Sequence, residues 1–298
     1  MMVSVITLTY DRCALLKRAI ESVRAQTFTD WEWIILDDGS TDDTAQMIGE
    51  FNDARIRYVF TEHVGRLPIL RNKGLSLAKG GLIAFLDSDD VWKPEMLEAS
   101  VKILDRNPDV GFVLADAEIV QDGKVLHPHI YKDEHKGAQK FLVPLFSDNL
   151  FVIFPSSLVM RKEVPFVCGV FDESLKFGDK DMFTRMAYHF KGKITRDVLA
   201  TIYRHGKNES SSARLGSLAE ESFKEELFTL DHFLAKGYIG KKFHEKWSGV
   251  YFFKLAEFYY RNGHFKKANE AYRSSLRYRP GNAKGIYKYF ASKLKARG

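Results

Sequence analysis

Cysteine and long apolar runs are both scarce in this chain. Only two of its 298 residues are cysteines, Cys13 and Cys168. Two thiols cannot form a disulfide framework or a four-ligand zinc site, so we expect ordinary thiols in a reducing cytoplasm. The longest apolar region, 141–160, is interrupted by proline, serine and aspartate, whereas a membrane-spanning helix needs about 20 predominantly apolar residues. Any membrane contact is therefore expected to be peripheral, at the inner face of the membrane.

Glycine-rich phosphate loops are also missing. No G-x-G-x-x-G follows the first predicted strand, and G-x-x-x-x-G-K-[ST] does not occur, which argues against Rossmann dehydrogenases and P-loop kinases. Residues 1–10 lack a basic leader and are expected to form a buried strand rather than a signal peptide. No pattern of lysine and arginine indicates nucleic-acid binding. Any phosphate must therefore be held by a cation and by side chains.

Strand-like and helix-like segments alternate along the first 90 residues. Continuous apolar stretches predict strands at 3–8, 31–36, 56–60 and 82–86. Apolar residues at helical spacing predict helices at 14–26, 42–51 and 67–78. Further strands are expected at 110–125, 151–160 and 201–204. The alternation predicts an α/β fold with a mixed, mostly parallel sheet flanked by helices, in which ligands bind beyond the carboxyl ends of the strands.

Carboxylates cluster where two of these strands end. Asp37 and Asp38 follow the second strand, and Asp87, Asp89 and Asp90 follow the fourth. Such close like charges repel unless they are neutralised, and Mg²⁺ or Mn²⁺ binds one or two carboxylates and takes its other ligands from phosphate and water. The cluster therefore predicts a divalent cation and a phosphorylated ligand. Aspartate also caps helices, so the alternative is that Asp90 caps the helix expected after 93–95.

A second acidic cluster opens the helix predicted at 182–190. It contains Asp179 and Asp181, directly after Gly178. The local pattern favours Asp179 as a helix cap, with Asp181 stabilised by the helix dipole in the first turn. A functional role for Asp179 is the alternative, and the local pattern alone does not decide between them.

The C-terminal region differs in both pattern and charge. The formal net charge is +6, but the segment from Ser217 onward carries about +9 and the first 216 residues about −3. We therefore predict two domains, 1–216 and an all-α region at 217–298. Within the latter, a set of mostly apolar residues has the spacing of one 34-residue tetratricopeptide-type repeat with Gly263 at its turn: Phe252, Leu255, Ala256, Tyr259, Ala268, Tyr272, Ser275 and Pro280.

Taken in order, several motifs of the first 205 residues resemble the family 2 glycosyltransferases. These are VSVIT at 3–7, QTF at 26–28, DDGSTD at 37–42, RNKG at 71–74, DSDD at 87–90 and GD at 178–179. The resemblance implies a GT-A fold and an inverting enzyme that uses a nucleotide-diphosphate sugar. Its acceptor would be a saccharide or a lipid-linked sugar, as in the biosynthesis of surface polysaccharides.

The resemblance also implies which residues bind the nucleotide sugar. Leu8 and Tyr10 would border the nucleobase, and Asp38 would accept a hydrogen bond from it. Arg66 and Arg71 would lie near the diphosphate, with Lys73 as a further basic candidate whose alternative is a solvated helix face. Asp87 would hold the ribose or the metal. These six expected nucleotide-sugar contacts are Leu8, Tyr10, Asp38, Arg66, Arg71 and Asp87.

Metal binding and catalysis are implied for three other residues. Asp89 would be the main ligand of Mg²⁺ or Mn²⁺ in the D-x-D motif, and His205 would be a further metal or diphosphate contact. Asp179 occupies the position of the catalytic base, which would remove the proton of the acceptor hydroxyl. Many relatives have Glu-Asp there, whereas this chain has Gly178 before Asp179, so a supporting carboxylate is missing.

Three questions stay open at this point. The first concerns Trp92 and the segment 154–157, which are expected either to line an acceptor pocket or to pack in the core. The basic tail is either a solvated face or a surface that docks on an anionic membrane, an acidic saccharide or a protein partner. The alternatives to a sugar transferase are a nucleotidyltransferase, which usually has a basic glycine-rich loop that residues 7–12 do not supply, and a non-catalytic repeat scaffold, against which Asp89 and Asp179 argue.

Overall fold

The computed structural model describes residues 1–132, 141, 145, 153–205 and, apart from the side chains of 215–219, 215–296. The chain divides into two compact units, 1–205 and 206–298. This division lies ahead of the domain boundary expected at 216/217, which stays a prediction.

Strands within the described residues of the first unit form one mixed sheet. They are β1 Val3–Thr9, β2 Trp31–Asp37, β3 Ile56–Phe60, β4 Leu82–Phe85, β5 Val91–Trp92, β6 Val110–Gln121, β7 Lys124–His127, β8 Leu158–Arg161 and β9 Lys191–Arg204. The order across the sheet is β3-β2-β1-β4-β8-β6-β9-β5, with β7 paired to β6. The first four strands in this order run parallel, and β8 runs antiparallel to both β4 and β6.

Helices cover the two faces of the sheet and form the second unit. Those of the first unit are α1 Cys13–Arg24, α2 Thr44–Glu50, α3 Leu67–Leu77, α4 Met96–Arg106, α5 Val164–Cys168 and α6 Asp179–His189. Those of the second unit are α7 Leu215–Ala235, α8 Lys241–Arg261, α9 Phe265–Tyr278 and α10 Ala283–Lys295. No helix in the described part of the chain is long and apolar enough to cross a membrane.

The sheet places the predicted acidic clusters at one edge. β1 lies between β2 and β4, with Thr9 opposite Asp37 and Ile6 opposite Phe85. Because these strands are parallel, the loops after Asp37 and Phe85 leave the sheet on the same side. The strands are buried on both faces and are accordingly continuous in apolar residues. The predicted α/β class with a mixed sheet is confirmed.

Two strands differ from their predictions. β9 begins at Lys191, ten residues before the strand expected at 201–204. The apolar stretch 151–160 was expected to be a single strand, but Pro155–Ser157 form a 3₁₀ turn and β8 begins only at Leu158. Proline fixes its own backbone angle and offers no N–H to a strand ladder, which explains the late start. Residues 151 and 152 lie outside the described residues.

The second unit is built around the predicted helix pair. The helices α8 and α9 meet at Gly263, whose φ is +77°, a value that favours glycine. Their shared core contains Leu255, Ala256, Tyr259, Ala268, Ala271 and Tyr272. Five of these six positions belong to the predicted repeat pattern. The assignment of this pair to the tetratricopeptide class stays a prediction.

Candidate active site

The loop after β4 carries three carboxylates that have different surroundings. It leaves the sheet where the Leu86 N–H donates to the carbonyl of Ile6 (3.0 Å) and the Thr7 hydroxyl donates to the carbonyl of Leu86 (2.7 Å). These bonds hold the start of the loop, so Asp87, Asp89 and Asp90 have fixed positions beyond the strand ends.

Asp90 is the structural member of the three. It is 3% exposed, and its oxygens accept hydrogen bonds from the Ser156 hydroxyl (2.6 Å) and the Tyr203 N–H (3.0 Å). Burial raises the pKa of Asp90 well above its usual range, and the charges of Asp89 and Asp87 add to the rise. The alternative that Asp90 caps α4 is wrong, because the N-cap residue is Glu95.

Asp89 is paired with two cationic or titratable side chains. Its Oδ2 lies 3.1 Å from Arg12 Nη1 and 3.2 Å from His205 Nε2, and the residue is 6% exposed. The structure thus brings the two predicted metal residues, Asp89 and His205, together. Arg12 was missed by sequence reasoning. The available signal was its place two residues after Tyr10, at the carboxyl end of β1, where a cation faces the same edge as the acidic loop.

Arg71 joins the β4 loop to the candidate base. It is 3% exposed, its Nη2 lies 3.8 Å from Asp87 Oδ1, and its Nη1 is ion-paired with Asp179 Oδ1. The guanidinium carbon also lies 5.3 Å from the ring centre of Phe171. Burial lowers the pKa of Arg71 to about 10, while Asp87 opposes the change. The side chain therefore remains a cation at neutral pH.

Asp87 is the most exposed carboxylate of the loop. Desolvation raises its pKa, Arg71 opposes the rise and Asp89 adds to it. Because 41% of the Asp87 side chain is exposed, solvent moderates this rise relative to that of Asp90. Asp87 is therefore the carboxylate of the loop most accessible to a ligand.

Asp179 is not a helix cap. The N-cap of α6 is Gly178, which has φ +70°, and Asp179 is the first residue of the helix. A Cβ atom at position 178 would lie 2.9 Å from Pro68 Cγ, so any side chain there would require Pro68 to shift, in addition to the backbone strain of the positive φ. Asp181, by contrast, is 1% exposed and bound to Arg185 Nη2 at 2.7 Å. Asp179 therefore has Arg71 as its ionic partner, and its neighbour at position 178 supplies no side chain.

The carboxylates after β2 are bound mainly by the backbone. Asp38 accepts from the N–H groups of Val64 (2.7 Å) and Gly65 (2.9 Å), and its Oδ2 lies 3.0 Å from His63 Nδ1. The His63 ring in turn stacks on Tyr10, with ring centres 4.4 Å apart. The two predicted base-binding residues, Tyr10 and Asp38, are thus linked by His63, which sequence reasoning missed.

Asp37 supports the same turn from inside the protein. It is fully buried, and its oxygens accept from the Ser40 N–H and the Tyr58 hydroxyl, each at 2.7 Å. Burial and the Asp37 carboxylate raise the pKa of Tyr58, so its hydroxyl keeps the proton that it donates. Asp37 is therefore part of the scaffold.

The remaining predicted contacts lie around this edge. Leu8 is half-buried near the end of β1. Arg66 is exposed and donates through Nη1 to the carbonyl of Glu173 at 3.2 Å. Lys73 is exposed on α3, as its solvated alternative predicts. Trp92 is 3% exposed in the core and donates through Nε1 to the carbonyl of Ser156 at 2.7 Å, so the core-packing alternative holds for it.

The donor set at Asp89 suits a cation that completes its coordination with phosphate. Among the described residues, no group of three or more His, Cys, Asp and Glu side chains is placed to hold a metal ion. One carboxylate and one imidazole do meet, at Asp89 and His205. Mg²⁺ is commonly bound through one or two carboxylates plus substrate phosphates. The residues therefore fit a cation that arrives with a diphosphate.

Comparison with known proteins places the chain in a family. Residues 4–164 match the family described as glycosyl transferase family 2. This match covers more than half of the chain, and the chain belongs to that family.

Two relatives illustrate the similarity in sequence. The Escherichia coli UDP-Glc:alpha-D-GlcNAc-diphosphoundecaprenol beta-1,3-glucosyltransferase WfgD is 34% identical over 125 residues, which cover 42% of this chain and 49% of WfgD. An uncharacterized glycosyltransferase of Nostoc sp. is 40% identical over 231 residues, covering 74% of this chain and 70% of that protein. The chain therefore matches about half the length of WfgD and 70% of the length of the Nostoc protein.

Crystal structures of Staphylococcus aureus TarS 1–349 share the fold. One covers 100% of this chain and 91% of that chain with a TM-score of 0.71 and 18% identity. Another, in complex with UDP-GlcNAc, has a TM-score of 0.65. The GT-A fold implied by the motifs is confirmed.

Proposed function

We propose that this protein is an inverting glycosyltransferase that moves a sugar from a nucleotide-diphosphate sugar to a hydroxyl of a saccharide or lipid-linked acceptor. One observation carries the proposal. Arg71, a buried cation, contacts both Asp87 at the end of β4 and Asp179 at the start of α6. The loop after β4 and the candidate base Asp179 are far apart in sequence, and both contact the guanidinium of Arg71.

Asp179 is proposed to act as the general base. A sugar hydroxyl is a weak nucleophile at neutral pH, and a positioned carboxylate removes its proton as the oxygen attacks the anomeric carbon. Attack opposite the departing diphosphate inverts that carbon in one displacement. Arg71 orients Asp179 through their ion pair. Arg71 also lies beside Asp87, the expected ribose or metal contact. The positive charge of Arg71 is therefore placed to stabilise the negative charge that develops on the departing diphosphate.

Asp89 and His205 are proposed to hold Mg²⁺ or Mn²⁺ together with the diphosphate. The cation would act as a Lewis acid that stabilises the departing nucleoside diphosphate. Arg12, 3.1 Å from Asp89, would keep the acidic loop neutralised before the donor binds.

The relatives support the proposed substrate classes. The name of WfgD gives UDP-glucose as donor and a diphosphoundecaprenol-linked sugar as acceptor, and TarS has been crystallised with UDP-GlcNAc. We propose the same classes here: a nucleotide-diphosphate sugar, and a saccharide on a lipid diphosphate as one acceptor.

The test is release of free nucleoside diphosphate from a panel of UDP-, GDP- and dTDP-sugars, with and without Mn²⁺. The acceptor supplied is N-acetylglucosamine linked through a diphosphate to a short alkyl chain. We expect one donor to be turned over faster with both Mn²⁺ and acceptor present. A parallel assay supplies a nucleoside triphosphate and a sugar 1-phosphate, and release of pyrophosphate from that pair would identify a nucleotidyltransferase. Binding without any turnover in either assay would favour the non-catalytic scaffold.

We also propose that the second unit contacts an anionic membrane surface through α10. Ile286, Tyr287, Phe290 and Leu294 are exposed, the last three by 57–72%, and helical geometry places all four on one side. Positions 271–298 contain eight lysines and arginines and no acidic residue. A basic helix with an exposed apolar stripe is typical of binding at a bilayer interface. A second copy of the same basic face would be repelled.

Cosedimentation with vesicles containing phosphatidylglycerol tests this contact. The double variant Lys293→Glu/Leu294→Ser changes two exposed side chains of the stripe and its flank. We expect binding to fall severalfold in the variant and in high salt, because the attraction is screened. The control Lys236→Glu makes the same charge change at an exposed position outside the stripe. Equal losses in both variants, or no binding by the unmodified protein at low salt, would contradict the proposal.

A further inference from the structure

A histidine outside the predicted site is held by a buried carboxylate. Asp116, in β6, is fully buried. Its Oδ2 lies 2.9 Å from Nδ1 of His129, and its Oδ1 accepts from the N–H groups of Ile130 (3.0 Å) and Tyr131 (3.2 Å). The His129 side chain nevertheless remains 53% exposed. The carboxylate thus fixes one ring nitrogen, and Nε2 lies on the side of the ring away from Asp116.

Strand register places this pair at the edge of the sheet that holds the site. β8 runs antiparallel to its two neighbours, β4 and β6, with Val159 opposite Ala84 and Leu158 opposite Leu114. Asp116 lies two residues beyond Leu114, and β4 likewise ends just beyond Ala84. Asp116 and the loop after β4 are therefore on the same edge, separated by β8.

Hydrogen bonds connect the His129 loop to the acidic loop. The Tyr131 hydroxyl lies 3.3 Å from the Ser157 hydroxyl. The neighbouring Ser156 hydroxyl accepts from the Asp87 N–H (3.0 Å) and donates to Asp90 (2.6 Å). The turn at Pro155–Ser157 is thus shared by the two loops, and a displacement of either loop would disturb the other.

We infer that His129 is a binding residue for the saccharide acceptor, an inference that rests on the proposed function. The predicted nucleobase contacts, Leu8, Tyr10 and Asp38, lie on β1 and in the loops after β1 and β2, on one side of β4. His129 lies on the other side of β4, beyond β8, bound to Asp116 of β6. A sugar hydroxyl both donates and accepts hydrogen bonds, and an imidazole fixed by a buried carboxylate offers it an oriented partner at Nε2.

Two substitutions separate contact with the acceptor from support of the loop. In His129→Asn the side-chain amide can still donate to Asp116, but the atom equivalent to Nε2 is lost. In His129→Gln the longer amide reaches towards the position of Nε2. A merely structural histidine would be replaced better by asparagine, whereas an acceptor-binding histidine would be replaced better by glutamine. His127→Asn, on the same hairpin and exposed, is the matched control.

The assay uses the best UDP-sugar from the panel above, with the alkyl diphosphate-linked N-acetylglucosamine as acceptor. We expect His129→Asn to raise the acceptor KM about fivefold to tenfold, the size of one lost hydrogen bond. The kcat, the calorimetric affinity for UDP and the thermal midpoint should stay near those of the unmodified protein, and His129→Gln should recover part of the loss.

Two results would overturn the inference and leave the proposed function standing. One is an unchanged acceptor KM in His129→Asn, and the other is a rise in the acceptor KM of the same size in the control His127→Asn. If the unmodified protein released no nucleoside diphosphate from any donor, the proposed function itself would fail, and the role of His129 with it.

Discussion

The two acidic strand ends of the sheet have similar sequences but different partners. After β2, Asp37 and Asp38 receive hydrogen bonds mainly from backbone N–H groups of their own and the adjacent loop. After β4, Asp87 and Asp89 face the side chains of Arg71, Arg12 and His205. The first end is held by the fold, whereas the second is neutralised by side chains that can change partners.

This difference separates scaffold from chemistry. A backbone N–H cannot leave its acceptor without unfolding a loop, so the Asp37 and Asp38 carboxylates are committed to the turn. An arginine or histidine side chain can exchange a carboxylate for a phosphate or yield it to a cation. The carboxylates of the β4 end, together with Asp179 across Arg71, are therefore the ones whose partners a phosphate or a cation can replace. Asp38 can accept a hydrogen bond from a nucleobase only in addition to its backbone bonds.

Of the substitutions considered, Asp179→Asn should cause the largest change, a loss in the rate of sugar transfer. The amide is nearly isosteric but cannot accept a proton at neutral pH, so transfer should fall by roughly two to four powers of ten. Donor affinity, measured by calorimetry with UDP, should persist. Because asparagine also loses the charge that pairs with Arg71, a thermal melt must accompany the assay. A variant that transfers sugar at the normal rate would show that Asp179 is not the base.

Asp37→Asn should affect stability rather than turnover. One of its two accepted hydrogen bonds, from Ser40 or Tyr58, would be lost in a fully buried site, which costs about 1–3 kcal/mol of unfolding free energy. Urea unfolding measures this loss, with the exposed Asp30→Asn as the control. If the variant were as stable as the control but lost donor binding, Asp37 would belong to the site rather than the scaffold.

Gly178→Ala should have the smallest effect. Both Gly178 and Gly123 have positive φ values, +70° and +74°, but a Cβ at 178 lies 2.9 Å from Pro68 whereas nothing lies within 4 Å at 123. Gly178→Ala should therefore lose about 1 kcal/mol more stability than Gly123→Ala, because the clash adds to the shared backbone strain. Equal losses would mean that Pro68 moves aside, and that a carboxylate at 178 is tolerated.

The sequence was sufficient for features that depend on local pattern. The strand and helix alternation of residues 3–86 follows from apolar periodicity, which the buried strands of a parallel sheet display openly. The two acidic strand ends could be predicted to meet because parallel strands align their carboxyl ends. The GD pair at 178–179 was recognised as a motif in front of a predicted helix. The sequence also shows directly that the side chains at these positions are carboxylates.

Features that depend on tertiary contacts could not be predicted in this way. Arg12, His63 and Arg71 acquire their partners through loops that are distant in sequence, and nothing in the local pattern ranks one arginine above another. The turn at Pro155–Ser157 interrupts an apolar stretch that resembles one strand. The pairing of Asp116 with His129 requires a hairpin to fold back on its own strand, which periodicity does not reveal.

The most direct test of whether the β4 end holds the cation of the donor is calorimetric binding of UDP in the presence of Mn²⁺. Three proteins are compared: the unmodified chain, Asp89→Ala and Asp37→Asn. Binding is expected to be lost or reduced at least about tenfold in Asp89→Ala, because its carboxylate is the proposed metal ligand, and to be retained in Asp37→Asn under conditions where that variant is folded. Metal-dependent binding at full strength in Asp89→Ala would contradict that assignment.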